Sequence, residues 1–313
     1  MAAIGIVNNP GSRYNRRHPE AAHRLAAALG GEGLVANAAS EPELARAVER
    51  FRAEGVEVLG VNGGDGTAHV VLTAFARACG DAPLPKLLIL RGGAMNTVAH
   101  GHGIAGTPES ILRRWLERRR EGRPERSVER DLLRVVAGGS PQYGFLFGTG
   151  AVVRFLEAYY RSGRTSPLGA AALAARAVGS ALLRGRFAAE LTRREPARVA
   201  ADGEEWPTLR YLAVLAGSEP DIGFGFKPFA RCAEQPGFFH AVGITASAPR
   251  LVAALPAVRL GHPWRRRVAM DAVARELSVE LPGPCRFTLD GDLYDSDGSI
   301  RITTGPPVRI LLP

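Results

Sequence analysis

The sequence predicts an α/β domain followed by a β-rich domain, and three observations support this prediction. Strand and helix signals alternate through the first third of the 313-residue chain, and glycine clusters follow two of these strands. Short alternating apolar runs dominate the second part. We therefore expect an N-terminal doubly wound parallel sheet in residues 1–126 and a C-terminal antiparallel β-sandwich-like domain in residues 127–313. The last strand of the chain can return to the sheet of the first domain.

The first domain consists of alternating predicted strands and helices. Ser40 and Glu43 form a capping-box pattern at the start of one helix, and Pro42 suits its first turn. Gly55 is placed to end that helix, and Thr107 opens a later one. The predicted strands cover residues 2–7, 34–39, 56–61 and 86–90, and the predicted helices cover residues 19–31, 40–55, 67–80 and 107–122.

The second domain shows short apolar runs separated by Gly, Pro and Asp, as expected for antiparallel strands. A pair of predicted helices at residues 151–160 and 168–183 interrupts this pattern. The predicted strands cover residues 132–136, 143–148, 187–192, 211–217, 238–244, 277–281, 286–290 and 299–303.

The bulk composition favours anionic partners. The chain has 40 basic and 31 acidic residues, a net charge of +9, which suits phosphorylated ligands, nucleic acid or an anionic membrane. The three scattered cysteines indicate neither a disulfide framework nor a zinc site, so a reducing cytoplasm is expected. The most apolar helical run is interrupted by Arg176 and is shorter than the roughly 20 residues of a membrane span.

The stretch "VNGGDGT" places Gly63, Gly64 and Gly66 around Asp65, with Thr67 next, where a predicted strand meets a helix. Glycines at the carboxyl end of a parallel strand let backbone N–H groups approach phosphates, and the helix N-terminus adds a positive dipole end. An aspartate in such a place is explained by Mg²⁺ bound together with a nucleotide. The alternative is a glycine-rich turn whose aspartate caps a helix.

Four stretches together resemble the diacylglycerol kinase catalytic domain family, which includes sphingosine kinases and bacterial lipid kinases. "GGDGT" is the family's signature loop, and NAD kinases and phosphofructokinases carry related loops. "VNNPGS" is similar to its opening motif, through Asn9 and Pro10. "LRGGAMNTVAHGHGI" is similar to its second nucleotide loop, through Gly93 and Asn96, and "LDGD" is similar to its Asp-Gly-Glu.

The resemblance implies a role for each matched residue. It implies that ATP lies over the signature loop and that Asp65 holds the Mg²⁺–phosphate assembly. Asn9 and Ser12 would contact phosphate or ribose, and Asp292 would be the general base. For Asp292, a turn residue is the alternative interpretation. The expected nucleotide-binding residues are Asn9, Pro10, Ser12, Gly63, Gly64, Gly66, Thr67, Gly92, Gly93 and Asn96.

The motifs also depart from the family pattern. Arg91 stands where proline is frequent, Ala94 where threonine is usual, and Thr97 where a second aspartate usually lies. Asp292 replaces a glutamate. The stretch "EQPGFFHAV" lacks the Asp-Asp-Gly that accompanies a structural metal site in some bacterial members.

The sequence therefore predicts an Mg²⁺- and ATP-dependent kinase of a lipid alcohol such as diacylglycerol or a sphingoid base. The alternatives are a catalytically impaired nucleotide-binding protein of the same fold and a kinase of a non-lipid acceptor. Residues 161–187 combine small apolar residues with arginines, so they suit either an anionic membrane surface or packing within the domain. We expect a cytoplasmic, peripherally membrane-associated protein without a nucleic-acid partner, and a homodimer is compatible with the sequence.

Overall fold

The computed structural model describes residues 3–163, 166–183 and 185–313. The chain forms two compact units, of which the first contains the residues up to Arg130 together with Pro306–Pro313 and the second contains Asp131–Gly305. Ala2 of the first predicted strand and residues 164, 165 and 184 of the predicted membrane-facing segment lie outside the described residues. Within the described residues, no helix is both long enough and apolar enough to cross a membrane.

The first unit alternates strands and helices. Its strands are β1 (Ala3–Asn8), β2 (Gly33–Asn37), β3 (Val56–Asn62) and β4 (Lys86–Ile89). Its helices are α1 (Arg13–Arg17), α2 (Ala21–Leu29), α3 (Glu41–Ala53), α4 (Asp65–Cys79), α5 (Thr97–Gly101) and α6 (Pro108–Arg120).

The second unit is rich in strands. Its helices are α7 (Ala151–Arg161), α8 (Pro167–Leu182), α9 (Arg186–Leu191) and α10 (Ala248–Arg259). Its strands are β5 (Ser127–Val136), β6 (Gln142–Gly144), β7 (Leu146–Thr149), β8 (Glu195–Pro196), β9 (Arg198–Ala201), β10 (Glu204–Glu205), β11 (Arg210–Tyr211), β12 (Ala213–Gly217), β13 (Phe239–Ile244), β14 (Ala269–Ala274), β15 (Glu276–Glu280), β16 (Cys285–Leu289), β17 (Asp292–Ser296) and β18 (Ser299–Leu311). Strands β5 and β18 have residues in both units.

The sheet of the first unit is parallel, in the order β4–β3–β1–β2. Ile310 of β18 pairs in parallel with Leu87 of β4, so the end of the chain adds a strand to this sheet. The register aligns Asn8 of β1 with Asn37 of β2 and Asn62 of β3. These strands therefore end at one edge of the sheet, and the loops that follow them share that edge.

Helix α3 shows how local sequence and packing agree in this unit. The Glu43 carboxylate accepts hydrogen bonds from the N–H groups of Ala39 and Ser40, at 2.7 and 3.2 Å, which confirms the predicted capping box. The fully buried Phe51 occupies the space that a Cβ on Gly5 would need. The glycine in β1 therefore lets the aromatic ring lie directly on the sheet.

The second unit contains two packed sheets, which confirms the prediction of a β-sandwich-like domain. One sheet has the antiparallel order β14–β13–β12–β7–β16–β17, and the other contains β10–β9–β15–β18. Phe147 and Phe239 of the first sheet share one buried cluster with Val279 and Ile302 of the second. A common core between two sheet faces is the defining feature of a sandwich.

The predicted strand at residues 187–192 is wrong, because this segment forms helix α9. Ala188 and its neighbours favour a helix, and a run of six apolar and polar residues does not distinguish the two states by periodicity. The Ser180 hydroxyl accepts a hydrogen bond from the N–H of Ala188 at 2.9 Å, and the Arg176 guanidinium lies over the Phe187 ring, 4.3 Å from its centroid. These contacts come from the preceding helix α8. Helix α10 was not predicted.

Candidate functional site

Three loops of the first unit meet at the carboxyl ends of the adjacent strands β1, β3 and β4. The Asn9 N–H donates to the Asn62 carbonyl at 3.0 Å, which joins the loop after β1 to the end of β3. The Tyr14 N–H donates to the Gly92 carbonyl at 3.0 Å, which joins helix α1, directly after that loop, to the segment after β4. The structure thus brings together the three sequence segments that were predicted to bind a nucleotide.

The loop after β1 uses Asn9 as a bridge. The Asn9 side-chain nitrogen donates to the Thr67 hydroxyl at 2.8 Å, and its side-chain oxygen accepts from the Gly11 N–H at 2.9 Å. Pro10 is exposed in the turn between them. Asn9 therefore connects the opening motif to the first turn of α4, where Gly66 also lies.

The glycines allow the loops to pack against each other. A Cβ on Gly63 would collide with the Thr67 side chain, and a Cβ on Gly93 would collide with the backbone of Gly64. A Cβ on Gly92 would lie 2.7 Å from the side-chain oxygen of Asn62. These glycines therefore allow close contact between the loops themselves, whereas the sequence was interpreted as allowing a phosphate to approach the backbone.

Asp65 begins helix α4 and joins the signature loop to the second loop. Its carboxylate accepts hydrogen bonds from the backbone N–H groups of Thr97 and Val98 and from the Thr97 hydroxyl, at the N-terminus of α5. Burial raises the pKa of the Asp65 carboxyl, and these hydrogen bonds partly offset that rise. The alternative interpretation of Asp65 as a capping residue thus has a structural basis, and the helix it caps is α5.

Asn96 closes the second loop. Its backbone is left-handed, with φ 51° and ψ 49°, a conformation that asparagine tolerates better than most residues. Its side-chain oxygen accepts from the Gly93 N–H at 3.0 Å and its side-chain nitrogen donates to the Gly93 carbonyl at 3.1 Å. Both ends of the amide therefore fix the turn that precedes α5.

A buried asparagine cluster beneath the loops was missed by sequence reasoning. The Asn62 side chain donates to Asn8 at 2.7 Å and to Asn15 at 2.9 Å, and Asn15 also donates to the backbone carbonyl of Asn9 at 2.7 Å. The Asn8 side chain in turn donates to Asn37 at 2.7 Å. An asparagine at the carboxyl end of three neighbouring strands is the signal that could have revealed it.

Three polar atoms at this edge have no hydrogen-bond partner among the described residues: the side-chain oxygen of Asn62, which is an acceptor, and two donors. The Ser12 hydroxyl is buried, and so is the Nε of Arg91, whose Nη2 lies 3.1 Å from the Nε2 of His100. Buried polar atoms are nearly always satisfied, so these two donors fit an anionic or polar ligand such as a nucleotide phosphate. No cluster of three or more His, Cys, Asp or Glu side chains in the described part of the chain could hold a metal ion by itself.

Asp292 lies in the second unit. It opens strand β17, directly after the turn at Asp290 and Gly291, and pairs with Leu289 of β16. The preceding turn is held firmly, because the Asp290 carboxylate accepts from the Leu146 N–H at 2.9 Å and the Gly291 carbonyl accepts from the Tyr160 hydroxyl at 2.7 Å. The turn therefore sets the position of the Asp292 side chain, which is partly buried.

Comparisons with known proteins agree with this architecture. Three solved structures from Bacillus anthracis str. Sterne share the fold; two are described as a putative diacylglycerol kinase and one as a diacylglycerol kinase. One has a TM-score of 0.71 and 15% identity, with 100% of this chain and 97% of that chain covered. The others have TM-scores of 0.63 and 0.64 and 14% identity, with 100% and 98% of this chain and 97% and 96% of theirs covered.

The comparison with curated proteins found no match. The family model of the diacylglycerol kinase catalytic domain matches residues 4–122. This segment holds the turn after β1, the signature loop and the second loop, which are the motifs that carry the resemblance. Residues 4–122 of the chain therefore belong to the diacylglycerol kinase catalytic domain family.

Proposed function

We propose that the protein is an ATP-dependent lipid kinase. The observation that carries the proposal is the convergence of three loops at one sheet edge, where the buried Ser12 hydroxyl has no partner within the described residues. Membership of residues 4–122 in a family of lipid kinases supports phosphoryl transfer as the chemistry.

The residues of the first unit bind and orient the nucleotide in this proposal. Ser12 and Arg91 donate to phosphate oxygens, and the N-terminus of α4 adds its positive dipole end. Bound Mg²⁺–ATP supplies the phosphoryl group and neutralises its charge. An ionised carboxylate has about four acceptor positions, so Asp65 keeps room for the metal while it bonds Thr97 and Val98.

Asp292 takes the proton of the acceptor hydroxyl in this proposal. A carboxylate at the start of a strand, after a turn held by several hydrogen bonds, is oriented without a large entropic cost. Its assignment as the base rests on the similarity of "LDGD" to the family motif.

A lipid acceptor requires contact with a membrane, and α8 offers a suitable surface. Leu168 and Leu183, at its two ends, are 83% and 84% exposed. With a net charge of +9, the chain is attracted to anionic lipid. We propose that this face mediates a peripheral association.

The kinase proposal is tested by incubating the full chain with labelled ATP and dispersed diacylglycerol, sphingoid bases and other lipid alcohols. We expect one class to be labelled, and Asp292→Asn to lower turnover by about 10²–10⁴-fold while ATP affinity is kept. The exposed Asp295 is the matched control, and Asp295→Asn should retain turnover.

One observation favours a second candidate function, a nucleotide-binding protein without transfer activity. Thr97, which replaces the family's usual aspartate, donates to Asp65 and so engages the carboxylate that would hold the metal. ATP binding without labelling of any lipid, sugar or nucleotide alcohol would establish this second candidate and reject the kinase.

A further inference from the structure

The second unit contains a cavity of about 490 Å³ between α10 and the loop that leads to β14. Its size lies within the range of small-molecule sites. The floor includes the small side chains of Ala253, Ala254 and Ala257, which lie on one face of α10 and leave the space open. Trp264 forms a wall, and its indole N–H donates to the Pro228 carbonyl at 2.7 Å. The polar atom of the ring is thus satisfied; part of the ring packs against the core, and the part that lines the cavity offers apolar contact.

The rim of this cavity is basic. Arg250, Arg265 and Arg267 line it and are exposed, together with His262. No Asp or Glu lines the cavity, and none of the three arginines forms an ion pair with any described residue. By contrast, the guanidinium of Arg231 contacts two carboxylates in the same unit. The positive potential at the rim is therefore not neutralised by the protein.

The cavity lies far from the proposed base. It adjoins β14, at one edge of the six-stranded sheet, whereas Asp292 opens β17 at the other edge. Neighbouring strands are about 4.8 Å apart, so the two edges are separated by roughly 24 Å. A ligand held in the cavity is therefore not positioned to react at Asp292.

We propose that this cavity binds one anionic phospholipid, with the acyl chain against the alanines and Trp264 and the phosphate at the arginine rim. The combination of an apolar floor and an unpaired basic rim matches an anionic amphiphile, and it matches neither a neutral lipid nor a free anion. The cavity shares no lining residue with the nucleotide loops, and it adjoins the sheet edge opposite to that of the proposed base Asp292.

The experiment measures binding of monomeric dihexanoylphosphatidylserine to the full chain by calorimetry, below the concentration at which the lipid forms micelles. Dihexanoylphosphatidylcholine has the same chains without the net charge, and inorganic phosphate has the charge without the chains. We expect phosphatidylserine to bind at least tenfold more tightly than either. Arg265→Ala with Arg267→Ala should weaken binding roughly 30-fold, since each basic residue near anionic lipid contributes about 1 kcal/mol.

Arg266 is the matched control, because it is exposed between these two arginines and does not line the cavity. Arg266→Ala should leave the affinity unchanged, and Ala257→Leu, which fills the floor, should weaken lipid binding while the thermal midpoint is kept. Equal binding of phosphatidylcholine, equal binding of phosphate, or an equal loss in Arg266→Ala would overturn the proposal. Because only binding is measured, the result is independent of whether the chain transfers phosphate.

Discussion

The side-chain amide of Asn9 donates a hydrogen bond to the hydroxyl of Thr67, 2.8 Å away, and thereby ties the loop after β1 to the first turn of α4. The other end of the same amide accepts from the Gly11 N–H. Both polar ends of Asn9 are therefore used within the protein. Asn9 therefore positions the two loops relative to each other.

We expect Asn9 and Thr67 to be energetically coupled. A double-mutant cycle with Asn9→Ala and Thr67→Val, measured by urea unfolding, should give a coupling of about 0.5–1.5 kcal/mol, as for a typical hydrogen bond. Thr67→Ser keeps the hydroxyl and should retain the coupling. Strictly additive single effects would show that the bond contributes nothing.

Gly93→Ala should displace the second loop, because its Cβ would collide with the backbone of Gly64. We expect a loss of about 1–3 kcal/mol in unfolding free energy together with weaker ATP binding, measured by urea unfolding and calorimetry. Gly64→Ala should be milder, since its Cβ would lie 3.1 Å from the Gly93 Cα. Gly139 should tolerate alanine, because a Cβ added there would have no described atom within 4 Å and the backbone has no positive φ. Equal effects at the three positions would contradict the packing argument.

Asp65→Asn and Asp65→Ala should separate the charge of this residue from its capping role. Asparagine keeps an oxygen acceptor for the N–H groups of Thr97 and Val98, so the unfolding free energy should change little. Alanine leaves both donors unpaired, so the unfolding free energy should fall by about 1–3 kcal/mol. Both variants should weaken Mg²⁺–ATP binding, since both remove the charge. Calorimetry with and without Mg²⁺ checks this, and a variant that binds Mg²⁺–ATP normally would remove Asp65 as a metal ligand.

The lowered pKa of the Asp271 carboxyl, which contacts a buried histidine, predicts how stability depends on pH. His240 is fully buried and its Nε2 lies 3.0 Å from Asp271, which also accepts from Arg231 at 2.8 Å. The hydrogen bond with His240, followed by that with Arg231, lowers the pKa of the Asp271 carboxyl. The stabilisation is therefore present above the ordinary aspartate pKa of about 3.9 and is lost as the pH falls through the lower folded value.

Asp271→Asn should accordingly be less stable than the wild type at pH 7, by about 1–2 kcal/mol, and the difference should shrink below about pH 4. Urea unfolding at pH 7, 5 and 3 measures it. The exposed Asp295 serves as the comparison, since Asp295→Asn removes only a surface ion pair and should change stability by less than about 1 kcal/mol. A difference that grows towards low pH would have the wrong sign for this network.

Association with anionic vesicles should weaken with salt and depend on α8. Electrostatic attraction is screened beyond about 10 Å at 0.1 M salt, so sedimentation with phosphatidylserine vesicles should fall as salt is added. Leu168→Glu should reduce binding further, because the residue is 83% exposed on the proposed face. Leu209 is 60% exposed outside α8, and Leu209→Glu should reduce binding less. Equal binding to neutral vesicles would reject this interface.

Local signals in the sequence were sufficient to predict the fold class of both units. The Ser40–Glu43 capping box joins groups three residues apart, and Gly55, with φ +63°, follows the end of α3 as predicted. Alternation of strands and helices likewise predicted the parallel sheet, because period and turn residues act over a few positions. The strand prediction for the α9 segment was wrong because local signals cover only its own six residues. Its contacts with Ser180 and Arg176 come from another helix.

The sequence also predicted candidate site residues, but the partners of these residues were decided by the tertiary structure. Sequence spacing places Asp65 beside its glycines, yet its carboxylate bonds Thr97, which is brought near only when β4 pairs with β3. Gly93 meets Gly64 for the same reason. Such contacts depend on strand order and register, which bring distant loops to one sheet edge, and no local pattern encodes which side chain will then lie opposite another.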